Sequence, residues 1–262
     1  MKIFIPSDLT ENSLNIIEKW IPGLDKVDTE IYLVNIIEPL RGGDALMIDL
    51  AKIQHQEGIA AFDKFNAKLG LKNAKLNFLI YEGYYSRKLA ELAKSYEPDI
   101  VLMHSQPKTG IDKYLVGQKS QKFIGELKCP ILIVPATFES LNFAGIGLAV
   151  DSEDMPTENN VAQLRVIESF FGVEAKPFHI QVKDNESTEI YDNFSAWSGG
   201  NEVVVEKAVS VATGISDFIE QENIDLLAMV THKRKFLDRF LVESNSRRVV
   251  SANKIAALIL NN

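Results

Sequence analysis

The groups with which this chain could do chemistry are a few histidines, hydroxyls and glycines close to strand ends, and a short run of cations. His104 closes an apolar run and is followed by Ser105, Gln106 and Lys108. That makes a polar cluster at the end of a strand but no recognisable triad. A histidine in such a place is most often a hydrogen-bonded loop residue. None of the four histidines, His55, His104, His179 and His232, shows His-Glu-x-x-His or Cys-His metal spacing. There is no Gly-x-Ser-x-Gly elbow and no Gly-x4-Gly-Lys-Ser/Thr loop. Gly145-Ile-Gly147 is a fragment of a dinucleotide pattern, but it precedes a strand end instead of opening a helix. Lys233, Arg234 and Lys235 are consecutive, with Arg239, Arg247 and Arg248 soon after. They would suit an anion or nucleic acid, but Asp238 and Glu243 partly cancel them, and such runs are usually solvated faces.

The elements that position these residues alternate. Apolar β-rich runs at 3–5, 31–37, 76–81, 100–104 and 131–134 predict strands. Helices are predicted from Thr10, as cap, to Ile21, with Leu14, Ile17 and Ile21 on one face, and over 44–69, 86–95 and 120–127. The long helix carries Leu46, Leu50, Ile53, Phe62, Phe65 and Leu69 as its buried stripe. Strands alternating with helices imply a parallel sheet with helices on both faces.

The order then repeats. Gly145 to Asp151 echoes Lys2 to Asp8, and 224–230 matches 98–104 with Asp225 on Asp99. Runs at 178–182 and 203–205 echo the second and third strands, 214–221 is the next helix, and 257–260 falls on 131–134. Where the first repeat has its long helix, the second has only 184–200, rich in Asn, Ser, Glu and Gly, which predicts a loop or short helix. The linker lies near 136–142, giving domains 1–138 and 139–262, the second shortened. The fold class is α/β: two flavodoxin-like, doubly wound domains, each with a parallel five-stranded sheet.

Composition fits a globular chain. Of 262 residues, 46% are hydrophobic and 24% charged. A net charge of −8 speaks against the whole molecule binding nucleic acid. The single cysteine, Cys129, opens an apolar run read as a buried strand, so its thiol is expected to be inert packing. The first residues are too short an apolar stretch for a signal peptide, and no run approaches the ~18 residues that span a bilayer, so the simplest expectation is a cytoplasmic protein without membrane contact.

These residues carry a resemblance. Ile5-Pro-Ser-Asp8-Leu-Thr-Glu-Asn-Ser13, Leu33-Val-Asn-Ile-Ile-Glu-Pro39 and Cys129-Pro-Ile-Leu-Ile-Val-Pro135 are similar to segments of the universal stress protein family, and the duplication resembles its tandem form. Nucleotide-binding members carry Gly-x2-Gly-x9-Gly followed by Ser or Thr, because glycines let backbone N–H groups approach phosphate. On that pattern His104 and Pro107 replace the first two glycines, Gly117 keeps the third, and Gln118 replaces the hydroxyl. Proline also removes a backbone donor. In the second repeat no glycine remains, Glu243 would repel a phosphate, and Ser244 keeps the hydroxyl.

The resemblance further implies an adenine end at Asp8 and Asp151 and at a second-strand backbone position, Ile36 and Val182. A carboxylate there would equally cap the next helix or fix a turn. The implied function is a stress-associated regulatory binding protein rather than an enzyme, with ATP binding lost or weakened and no cofactor. The alternative is ATP or another adenine nucleotide held by Asp8, Gly117 and Ser120, with slow hydrolysis, or another small molecule for which Lys108, Thr109 and Gly110 supply donors. The family resemblance also implies pairing through the fifth strands, as a homodimer or as an internal pseudo-dimer through 131–134 and 257–260, with protein partners.

Overall fold

A computed structural model describes residues 1–39, 45–105, 127–150, 155–182, 203–230 and 255–261, without the side chains of 45–49 and 105. The chain divides into two compact units, one built on Met1–Met103, the other on Asn142–Asn262 together with Pro130–Phe138. The first unit runs β1 (Lys2–Pro6), α1 (Glu11–Leu24), β2 (Glu30–Ile37), α2 (Ala45–Lys68), β3 (Lys75–Glu82), α3 (Tyr85–Tyr96) and β4 (Ile100–Ser105). Its strand order is β3-β2-β1-β4, with parallel neighbours. The second unit contains β5 (Ile131–Pro135), β6 (Ile146–Ala149), α4 (Glu158–Phe171), β7 (Ala175–Gln181), β8 (Val204–Lys207), α5 (Val211–Gln221), β9 (Leu226–Val230) and β10 (Ala256–Leu260). Its order is β5-β10-β9-β6-β7-β8, parallel except between β5 and β10. The helix predicted over 120–127 and the segment 184–200 fall outside the described residues, Leu127 excepted.

Strand burial explains the apolar runs. Ile3, Phe4 and Ile5 are buried, and every residue of β5, β9 and β10 is buried, as central parallel strands covered on both faces require. α1 starts where predicted, with Thr10 Oγ1 accepting from Ser13 N at 3.3 Å, and continues through Pro22 to Leu24. It buries Ile16, Ile17, Trp20 and Ile21, whereas Leu14 is half-buried.

The long second helix is present, but its stripe is not buried throughout. Phe65 is buried and Phe62 stacks on Phe78 of β3 at 4.5 Å, yet Leu50 is 39% exposed and Ile53 48%. Length is the reason. Twenty-four helical residues reach about 36 Å, while the eight-residue strands beneath reach about 26 Å, so the first turns overrun the sheet. The helix α4 has no counterpart in the expectations from sequence. Its signals were present: a capping box between Thr157 and Asn160, Leu164 and Ile167 three apart, and Gly172 closing it in the left-handed region. Cys129 lies half-buried just before β5 and not within it, and burial pushes its thiol up to about 11.

The duplication is exact in its hydrogen bonds at the start of each opening strand. Lys2 N donates to Asp99 Oδ2 at 2.6 Å. In the second unit, Ala144 N donates to both carboxylate oxygens of Asp225 at 3.0 and 2.9 Å, and Gly145 N to Oδ1 at 3.3 Å. The β5–β10 pairing obeys the same correspondence. Its register is Ala257 with Ile133, Leu258 with Leu132, and Ile259 with Ile131. The shift that carries Asp99 onto Asp225 carries Leu132 onto Leu258, so each of these leucines faces its own counterpart.

Two packing details yield predictions. A Cβ on Gly214 of α5 would lie 2.4 Å from Ile180 Cγ2 and 2.8 Å from Ala208 Cβ. Gly214→Ala is therefore expected to cost about 1–3 kcal/mol in urea unfolding, and an unchanged midpoint would refute the contact. Asp25 accepts N–H groups from Lys72, Asn73 and Ala74 at 2.8–2.9 Å. Desolvation opposes its charge, but those donors outweigh it and hold the carboxyl below its ordinary 3.8. A depressed folded value gives stability that is full above the unfolded value and is lost as pH falls through the folded one. Asp25→Asn is thus expected to flatten the fall in melting temperature between about pH 5 and pH 3.

Candidate functional site

In the first unit the strand order reverses between β1 and β4, where Ile3 pairs with Ile100 and Phe4 with Val101. Crevices beyond the carboxyl ends of such strands are the usual ligand sites of doubly wound sheets. The turn leaving β1 is built from its own short polar side chains. Leu9 N donates to Ser7 Oγ at 3.0 Å, and the Ser7 and Ser13 hydroxyls share a bond at 2.9 Å. Thr10 N and Thr10 Oγ1 both donate to Asp8 Oδ1, at 3.1 and 2.9 Å. Asp8 is exposed, and this turn engages one of its oxygens.

Leu9 completes the turn at φ 57, a left-handed conformation that costs an ordinary residue roughly 1–2 kcal/mol. It is buried, and its Cδ1 lies 3.4 Å from where a Cβ on Gly58 would stand. That Cβ would also meet Ile80 Cδ1 at 2.8 Å, so the absent side chain at Gly58 lets α2 settle over this turn.

The neighbouring strand end adds a second carboxylate. Glu38 follows β2, and its Oε1 accepts from Tyr85 N at 3.2 Å. It thereby satisfies an amide at the start of α3, whose cap residue Tyr84 offers no side-chain bond. The Tyr85 phenol is raised above its ordinary 10.0 by burial, then by the charges of Asp8 and Glu38. Nothing in the sequence distinguished Tyr85 from its neighbours; the Tyr-Tyr pair after Gly83 was the available signal.

Of the residues expected at the site, Asp8 is at the end of β1, Ile36 is half-buried on β2 opposite Tyr81, and His104 is half-buried on β4. Pro107, Gly117, Gln118 and Ser120 lie outside the described residues, as do Lys108, Thr109, Gly110, Asp151 and the cations from Lys233 to Arg248. One correspondence changes. Pro6 pairs with Val34 and Ala149 with Phe178, so Ile180, two residues before Val182, is the counterpart of Ile36. Among the described residues no group of three or more His, Cys, Asp or Glu could hold a metal ion, and no helix is long and apolar enough to cross a membrane.

The fold defines a duplicated, doubly wound α/β protein whose first-unit strand order reverses between β1 and β4. The family model of the universal stress protein family matches residues 1–135 and 164–260, and the chain belongs to that family. A universal stress protein of Methanocaldococcus jannaschii is 26% identical over 140 residues, covering 51% of this chain and 81% of that protein. A universal stress protein structure from Archaeoglobus fulgidus superposes with a TM-score of 0.65 at 16% identity, covering 100% of this chain and 96% of the other. A second, from Pseudomonas aeruginosa, gives 0.55 at 16% identity over 99% and 92%. These structures share the fold along the whole chain.

If Asp8 holds the turn, its role needs an acceptor oxygen and not a charge. Asp8→Asn is expected to keep wild-type stability, whereas Asp8→Ala loses about 1 kcal/mol in thermal or urea unfolding. Equal loss in both variants would point to the charge instead.

Proposed function

We propose that this chain is a cytoplasmic stress-response regulatory binding protein, not an enzyme, whose adenine-nucleotide binding is weakened or lost. The observation that carries the reading is that the strand-end carboxylates already have partners within the chain: Asp8 Oδ1 accepts from Thr10 N and Oγ1, and Glu38 Oε1 accepts from Tyr85 N. The sequence supports the same reading, since Pro107 cannot donate a backbone N–H and one glycine of the phosphate pattern is kept. Family membership supplies the stress-response role.

Internal pairing belongs to the proposal. β5 and β10 lie side by side in antiparallel register, so each fifth strand finds a partner within the chain, and protein partners would engage other surfaces.

Calorimetry with Mg-ATP, ADP and AMP on ligand-stripped protein tests the nucleotide part. The expected result is no heat at millimolar nucleotide in protein shown to be folded. Micromolar binding abolished by Gly117→Val would overturn it and establish the alternative, a first-repeat ATP site using Asp8, Gly117 and Ser120.

A further inference from the structure

Each second strand carries a buried polar side chain beside the end of the opening strand. Asn35 on β2 and His179 on β7 are 8% and 9% exposed. The registers make them counterparts: Pro6–Val34 in the first repeat answers to Ala149–Phe178 in the second, and each polar residue is the next one along. Backbone bonds give the same alignment independently, with Ser7 N donating to Val34 O at 2.9 Å and Val150 N to Phe178 O at 2.8 Å. Asn35 Nδ2 then donates to Ser7 O at 2.9 Å. His179 Nδ1 lies 3.0 Å from Val150 O.

We infer that Asn35 and His179 are equivalent positioning residues, each a δ-nitrogen hook that holds the last peptide of its opening strand, which in the first repeat fixes the turn bearing Asp8. The register of pairing ends at Pro6 in one repeat and Ala149 in the other. One residue beyond, the carbonyl accepts a hydrogen bond from a side chain on the neighbouring strand. That lets the first strand leave the sheet without an unsatisfied buried carbonyl. Asp8 and Asp151 are the next residues in sequence.

The chemistry explains why two such different residues interchange. Asn Nδ2 and His Nδ1 are separated from Cα by the same number of bonds, and both donate N–H. Aspartate would put an acceptor against the carbonyl, and leucine would offer no donor. Val150 O can only accept, so the bond requires the proton on His179 Nδ1. The functional sense of the hook rests on the reading of the strand-end aspartates as crevice residues; the hook itself is tested without any ligand.

Two measurements on the full chain test it. Nitrogen-15 NMR of His179 is expected to show the Nδ1–H tautomer; an Nε2–H tautomer would overturn the assignment. Amide exchange at Leu9 and Thr10 is expected to quicken about tenfold or more in Asn35→Leu and to stay within about twofold of wild type in Asn35→His. Equal protection in both variants, with protein folded, would overturn the hook in the first repeat. So would equal loss in both, since a packing role has no reason to be rescued by histidine and a donor role does. Mg-ATP calorimetry on wild type reports separately on the nucleotide reading, so either can fail alone.

Discussion

The opening strand of each repeat is held at both ends by side chains. β1 is fastened at its start by Asp99, which accepts from Lys2 N, and at its finish by Asn35, which donates to Ser7 O. β6 is fastened by Asp225 at its start, and at its finish His179 Nδ1 meets Val150 O. In each repeat this strand lies where the sheet order reverses. A shift of one residue would invert its faces, placing Phe4 and Ile5 wrongly. Carboxylates and amides at the strand ends fix the register where backbone pairing runs out.

The turn that follows is self-sufficient. Ser7, Asp8 and Thr10 each accept from the backbone a few residues on, and Leu9 takes a left-handed conformation covered by α2. A loop whose polar atoms are satisfied internally needs no ligand to be ordered. The shape of this turn follows from its own folding chemistry.

Much of the fold was legible in the sequence because strand burial and turn residues announce themselves locally. Ile3 to Ile5, Ile100 to His104 and the Asp99/Asp225 correspondence all found their places. What escaped depends on distance between elements. The stripe of α2 is helical in pattern, but whether Leu50 and Ile53 are covered depends on how far the strands beneath extend. The ends of α4 are marked by Thr157, Asn160 and Gly172, but its apolar residues Leu164 and Ile167 form a weak helical stripe in a stretch where the repeat is gapped. Asp8 and Ile36 were named through the family resemblance, and the hooks needed the strand registers. An Asn and a His at unmatched sequence positions become equivalent once the registers with β1 and β6 are known. Tyr85 likewise gains meaning from Asp8 and Glu38, which approach it from other elements.

The hydrogen bonds within the turn beyond β1 predict that it holds its shape without a resident nucleotide. Native mass spectrometry of the full chain, purified without added nucleotide, checks this. The expected species has the mass of the bare polypeptide. A species heavier by one adenine nucleotide, released on denaturation, would refute it.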